Sequence, residues 1–510
     1  MAKKKEGRES GKKQDFSGEC DLDGGFVSPI KTVRDLSLKN IQSLVTASRY
    51  FQSLIVLMVI GLFLRFYNLG FNSLWLDEAS TYTISLKSFA GIWQVTASGE
   101  FNPPLFYWAE HVMLMLGNNE VILRFIPALL GVLTIPLFYL IGKEFLDRNA
   151  GIIAAAACTV SPFLIYYSQE ARAYMMMLFF VALATIFFLR AMKSGSLIPW
   201  ILFGVFSALA FWSHFYAFVM IAALVLYALI EWAPRIRTEL ANLKMLVAGI
   251  IVFVVLSLPL IIVTLQLFVL RTSSAPTYGI QGLGIILETF NQISGFNDIA
   301  MYVLVALFVI GIIQTFRIGK NKGIFLVLIT VLTFVISYIL SFKMPMEPRY
   351  LIFLSIVFFL GIAMSYRTVY SLWNTKAVVY GFIVVLFVIS ISVLVQMGYY
   401  SGYSKDDWRG FSEALQEKAS PGDIVVSVPG YIAQPLDYYY SSAKGNTREY
   451  GATTSQDLEK IYSLKGNSTM YFVVTQDIGA ADPNGDALTW LKNNTRFAGQ
   501  DTGIYLFTSP

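Results

Sequence analysis

Several polar stretches interrupt an otherwise apolar chain, and their residue types suit the movement of a proton and the holding of a phosphate. Trp75-Leu76-Asp77-Glu78 sets two adjacent carboxylates among Phe71, Trp75 and Tyr82. A carboxylate at a membrane surface is able to take the proton of an acceptor hydroxyl while that oxygen attacks a sugar carbon. An Asp-Glu pair that merely opens an interfacial helix and complements its dipole accounts for the same letters. Glu100-Phe101-Asn102-Pro103-Pro104 places a carboxylate and an amide before a rigid Pro-Pro turn, which suits either a site or a plain loop-to-helix boundary. Ser168-Gln169-Glu170-Ala171-Arg172-Ala173-Tyr174 sits between two apolar runs with no room for a solvated loop. Charges at such a junction are costly and usually face a bundle interior or a water-filled cavity; a local Glu170–Arg172 pair that caps the turn is the plainer account.

His214, in Trp212-Ser213-His214-Phe215-Tyr216, lies at another tight junction. With only two histidines in the chain, a histidine-rich metal site is excluded, whereas a divalent ion held by carboxylates and a substrate phosphate stays open. Pro345-Met346-Glu347-Pro348-Arg349-Tyr350 brings an arginine to the start of a late span. Its guanidinium matches phosphate by bidentate bonding, and snorkelling to the headgroups would use the same residue. Arg271 opens a long glycine-bearing connection, 271–298, with the character of a mobile cover.

The elements that must position these groups are membrane spans. Across 510 residues the chain is 56 % hydrophobic and 14 % charged, with a mean hydropathy of +0.60. That composition describes a polytopic membrane protein. Residues 1–49 form a basic tail, expected on the cytoplasmic side, and the net charge of +5 reflects this topology and anionic membrane lipids rather than nucleic acid. Cys20 and Cys158 fall in different environments and are not expected to pair. The stretch 103–116 reaches only about 21 Å as a helix against a hydrocarbon core of about 30 Å, and it contains Glu110 and His111, so it is expected to lie along the interface. With that assignment, about eleven spans within 50–398 place the Lys- and Arg-bearing connections on one side and Asp77, Glu170, Arg172, His214 and Arg349 on the other, as the positive-inside rule requires. From residue 399 the composition shifts, and strand-like runs at 424–428, 470–474 and 504–507 alternate with helical patterns. This predicts a small extracytoplasmic α/β domain over 399–510.

In order, Leu-Trp-Leu-Asp-Glu-Ala, Asn-Pro-Pro-Leu-Phe-Tyr-Trp, Tyr-Ser-Gln-Glu-Ala-Arg-Ala-Tyr, Ser-His-Phe-Tyr and Pro-Arg-Tyr-Leu-Ile-Phe resemble the GT-C glycosyltransferases. The likeness is to the branch of protein O-mannosyltransferases and lipid A aminoarabinose transferases, and it covers about residues 50–400. It implies a GT-C-like bundle with a catalytic outer loop over 69–108, in a prokaryotic plasma membrane. It implies transfer, with inversion, from a polyprenyl-phosphate sugar to a hydroxyl on a protein, lipid or glycan acceptor. On the matching positions Asp77 would be the base, supported by Glu78, and Glu170 a second acidic site. Arg172 and Arg349 would hold the departing phosphate, with Tyr174, Tyr350, Asn102 and Arg271 around the substrate. Some relatives carry a basic residue where this chain has Asn102, and relatives differ in metal use, with Glu100 and His214 at the corresponding ligand positions. A lipid-linked sugar flippase or transporter is the rival class; it would favour a midplane site between repeats over charged motifs gathered on one side.

Overall fold

The computed structural model describes residues 22–23, 37–100, 102–235, 237–273, 276, 278–440 and 446–510. Most of the basic tail, including Cys20, lies outside the described residues. Among these residues, nine helices are long and apolar enough to cross a bilayer, from Arg49–Phe66 to Ala377–Gln396, and the pair Arg148–Val160 and Pro162–Ser168 makes a tenth that is bent by 57°. The remaining expected span, Leu197–Ser213, is apolar but only 17 residues long, about 26 Å at 1.5 Å per residue. The chain is an integral membrane protein. The stretch expected along the interface is a ten-residue helix, Pro104–Met113, with a proline in its first turn.

The bend has a specific cause. Pro162 has no N–H to give the Cys158 carbonyl four residues back, and that orphan oxygen accepts from Arg65 Nη2 at 2.8 Å. Arg65 Nη1 donates to the Thr159 carbonyl at 3.0 Å. Arg65 is fully buried in the last turn of Arg49–Phe66 and caps a broken helix. Gly131 makes room for it, since a Cβ there would stand 2.2 Å from Ser168 Oγ and 2.9 Å from Arg65 Nε. Gly131→Ala is therefore expected to destabilise the protein by about 1–3 kcal/mol, read as a lower thermal midpoint in detergent.

Residues 408–440 and 446–510 fold onto a five-stranded sheet of order β2-β1-β3-β5-β4. Its strands are β1 (Ile424–Val428), β2 (Arg448–Gly451), β3 (Met470–Thr475), β4 (Arg496–Asp501) and β5 (Ile504–Thr508). β1 runs parallel to both β2 and β3, while β5 is antiparallel to β3 and β4. β1 and β3 are buried throughout. Helices Ser455–Tyr462 and Asp486–Asn494 cover one face of the sheet, and Trp408–Lys418 and Ala433–Tyr439 the other.

The sheet domain is seated on the segment that follows the first span. Ser73 Oγ donates to Asp407 Oδ1 at 2.9 Å, and Leu74 N–H donates to the Tyr439 hydroxyl at 2.8 Å. That hydroxyl in turn donates to Glu120 Oε1 at 2.7 Å, and Glu120 also pairs with Arg409.

Candidate active site

The segment 69–108, expected as a loop, is largely helical, with Leu76–Ser85 and Phe89–Ala97 leading into Pro104–Met113. Asp77 and Glu78 occupy the first turn of Leu76–Ser85. Neighbouring helical residues point about 100° apart, and the two carboxylates have opposite fates. Glu78 turns inward and is fully buried. It accepts a side-on pair of bonds from Arg124, Nε to Oε1 at 2.8 Å and Nη2 to Oε2 at 2.7 Å, and one from Lys405 Nζ at 3.0 Å. The Ala171 N–H adds a further bond at 2.8 Å. Burial by itself would raise this carboxyl, but the charges of Arg124 and Lys405 hold it down at about 2. Arg124 also donates to the Leu69, Asn72 and Ser73 carbonyls at 2.8–3.0 Å, fixing the entry to the helix.

Asp77 turns outward, its side chain 28 % exposed. Its Oδ2 stands 3.9 Å from Arg172 Nη2 and 3.9 Å from Arg349 Nη2. Arg172 is anchored from behind, donating through Nη1 to the Asp77 carbonyl at 3.1 Å and to Thr81 Oγ1 at 3.3 Å. Arg349 lies over the rings of Trp75, at 5.5 Å, and Tyr350, at 5.7 Å. Neither Arg172 Nε nor Arg349 Nε has a hydrogen-bond partner among the described residues.

These groups form one end of a cavity of about 990 Å³. Of the residues expected at a site, the structure brings Asp77, Glu100, Asn102, Arg172, His214, Arg271, Arg349 and Tyr350 to its wall. Its stretch along the membrane helices is largely apolar, with Phe211, Phe253, Ile261, Phe268 and Leu340. Glu78, Glu170 and Tyr174 stand outside it. Glu170 is buried with neither carboxylate oxygen hydrogen-bonded among the described residues, and Lys405 Nζ is 3.8 Å away. Burial raises its pKa ahead of the opposing pull of Lys405. Tyr174 packs behind, its ring 5.6 Å from His214.

Glu100 Oε1 accepts from the Tyr107 hydroxyl at 2.9 Å and from Asn102 Nδ2 at 3.3 Å. Arg271 Nη2 donates to the Gly99 carbonyl at 2.9 Å and to that of Glu100. His214 Nδ1 accepts the Tyr216 N–H at 3.3 Å. Burial lowers the His214 imidazole to about 3, so it is neutral at physiological pH. No group of three or more His, Cys, Asp or Glu gathers as metal ligands among the described residues. Among those residues Glu100 and His214 are joined by no third donor of that kind, and they do not by themselves compose a protein-held metal site.

The connection 271–298 holds a helix, Gly284–Ile293, and is pinned by the Ile280 N–H to the Met346 carbonyl at 2.8 Å. Gly279 takes a positive φ of 89° there, where a Cβ would stand 2.7 Å from Met346 N. Arg124 and Lys405 hold Glu78 though the motifs did not announce them. Arg124 sits in the first turns of an apolar span, itself a signal for a buried charge partner. Lys405 bears no local signature.

Comparison with known proteins places this architecture. Residues 102–258 match the family model for dolichyl-phosphate-mannose-protein mannosyltransferase. An uncharacterized protein of Aquifex aeolicus is 28 % identical over 214 residues, 39 % of this chain, and the match spans only 41 % of that relative's length. ArnT from Cupriavidus metallidurans in the apo state superposes with a TM-score of 0.59 at 13 % identity, covering 89 % of this chain and 97 % of ArnT. The same ArnT bound to undecaprenyl phosphate gives 0.53 at 14 % identity over the same shares. Archaeal oligosaccharyltransferase AglB from Archaeoglobus fulgidus, in complex with an inhibitory peptide and a dolichol-phosphate, gives 0.52 at 14 % identity, covering 90 % of this chain and 74 % of AglB. At these identities the likeness is one of fold, shared with ArnT and with AglB.

Proposed function

From the GT-C glycosyltransferase fold and a cavity whose polar end sets two arginines over one carboxylate, we propose that this chain transfers a sugar from a polyprenyl-phosphate donor to an acceptor hydroxyl on the extracytoplasmic side, with inversion. The observation that carries the reading is the pair of 3.9 Å separations at Asp77 Oδ2. They are too long for hydrogen bonds, so each guanidinium faces the carboxylate while keeping N–H groups for a phosphate. The apolar remainder of the cavity suits a prenyl chain, and ArnT and AglB have been seen with lipid phosphates. The basic loops at the opposite end of the bundle support an extracytoplasmic site.

In the proposed step the acceptor O–H gives its proton to Asp77 while its oxygen bonds to the sugar's anomeric carbon. The bond from that carbon to the phosphate oxygen breaks, and its electron pair leaves with the lipid phosphate. Arg172 and Arg349 stabilise the charge that grows on that phosphate. Glu78, locked by Arg124 and Lys405, fixes the helix turn that aims Asp77 and touches no reacting atom.

The test uses purified full-length protein in nanodiscs with radiolabelled polyprenyl-phosphate sugars and native membrane extract as acceptor. Wild type is expected to move label, and Arg349→Lys to raise the donor KM about 10- to 100-fold, because an ammonium cannot reproduce bidentate contact with phosphate. Donor lipid that binds while no sugar moves from any of the donors overturns the reading in favour of a flippase.

A further inference from the structure

The cavity is not walled by the membrane helices alone: Tyr431, Asp477, Ala480 and Ala481 of the sheet domain also line it. These residues follow the carboxyl ends of β1 and β3, the two parallel strands at the centre of the sheet. From β1 the chain passes through helix Ala433–Tyr439 to β2 on one side; from β3 it departs through Asp486–Asn494 towards β4 on the other. Connections that diverge from neighbouring parallel strands leave a crevice at their carboxyl ends, the place where open α/β sheets bind ligands. Here that crevice opens onto the Asp77 cavity. The Ser80 hydroxyl donates to Gln434, which ties the helix after β1 to the helix that carries Asp77.

We propose that this crevice is the acceptor subsite and that it holds a sugar residue, one hydroxyl of which is presented to Asp77; the proposal rests on the transfer reading above. Tyr431 is 41 % exposed and its hydroxyl donates to the Asp477 carbonyl at 3.3 Å, so its ring is held at the mouth of the cavity. The exposed Asp477 side chain accepts from Thr475 Oγ1 at 3.1 Å through one oxygen, Oδ2. An aromatic face receives the C–H face of a sugar ring, a carboxylate accepts hydroxyl hydrogens in strong charge-assisted bonds, and Ala480 and Ala481 leave space beside them. An extended peptide would instead add to a sheet edge, and the edges, β2 and β4, contribute nothing to the cavity wall.

Saturation-transfer NMR on the full-length protein in nanodiscs tests this directly. The probes are methyl glycosides of mannose, galactose and N-acetylglucosamine and a Ser/Thr-containing hexapeptide. At least one glycoside is expected to bind wild type, and to bind Tyr431→Ala and Asp477→Asn at least tenfold more weakly. Undecaprenyl phosphate binding, unchanged in both variants, certifies their fold. Absence of glycoside binding, binding indifferent to both substitutions, or capture of the hexapeptide alone overturns the proposal. Tyr431-dependent glycoside binding without any label transfer upholds it and sinks the transferase reading instead.

Discussion

Asp77→Asn is expected to lower sugar transfer by about three orders of magnitude, within the range for loss of a positioned general base, while the protein inserts and folds as wild type. The side chain is partly exposed and, among the described residues, makes no hydrogen-bonding ion pair, only the two 3.9 Å approaches. Its amide replacement is nearly the same size and removes the charge. Binding of undecaprenyl phosphate is expected to hold or tighten, because Asn no longer competes with the phosphate for Arg172 and Arg349. The pairing of lost turnover with retained binding distinguishes a base from a structural carboxylate. Transfer within tenfold of wild type would refute the assignment.

Arg124→Met has a different signature. It leaves Glu78 buried with Lys405 as its remaining cation and releases three backbone carbonyls. Breaking such a buried pair costs about 3–5 kcal/mol, so the variant is expected to lose thermal stability and activity together. The pH dependence carries the same information. The folded-state value of Glu78, about 2, lies below its ordinary 4.5. Its stabilising contribution is therefore complete above pH 4.5 and fades as pH falls towards 2. Acid titration of thermal stability is expected to show a steeper decline in wild type than in Glu78→Gln, whose remaining decline comes from other depressed carboxylates such as Glu120 and Glu144. Identical acid profiles would refute the assignment of the carboxylate to the Arg124–Lys405 lock.

Much of the bundle was legible because apolar runs report spans directly, and basic connections report which ends belong together. The bend at Pro162 was harder, since Ser161-Pro162 reads as an ordinary interruption until Arg65 is found capping the orphan carbonyls. In the sheet domain, β1, β3 and β5 announce themselves as apolar runs. β2 and β4 are edge strands whose residues, Arg-Glu-Tyr-Gly and Arg-Phe-Ala-Gly-Gln-Asp, show little burial and hence no alternation to read. At the site, Asp77, Arg172 and Arg349 were visible as charges where charges are costly. Glu78 was indistinguishable from Asp77 because the 100° between them matters only once a helix exists. Lys405 was invisible, since its importance depends on a contact across 327 residues of sequence.

That long reach has a consequence for how the protein is made. The ribosome delivers Glu78, Arg124 and Glu170 early, and Lys405 only after the last span has been threaded. Until then, among the described residues, Glu78 has Arg124 alone as its ion-pair partner and Glu170 has none. Completion of the centre is thereby tied to completion of the chain.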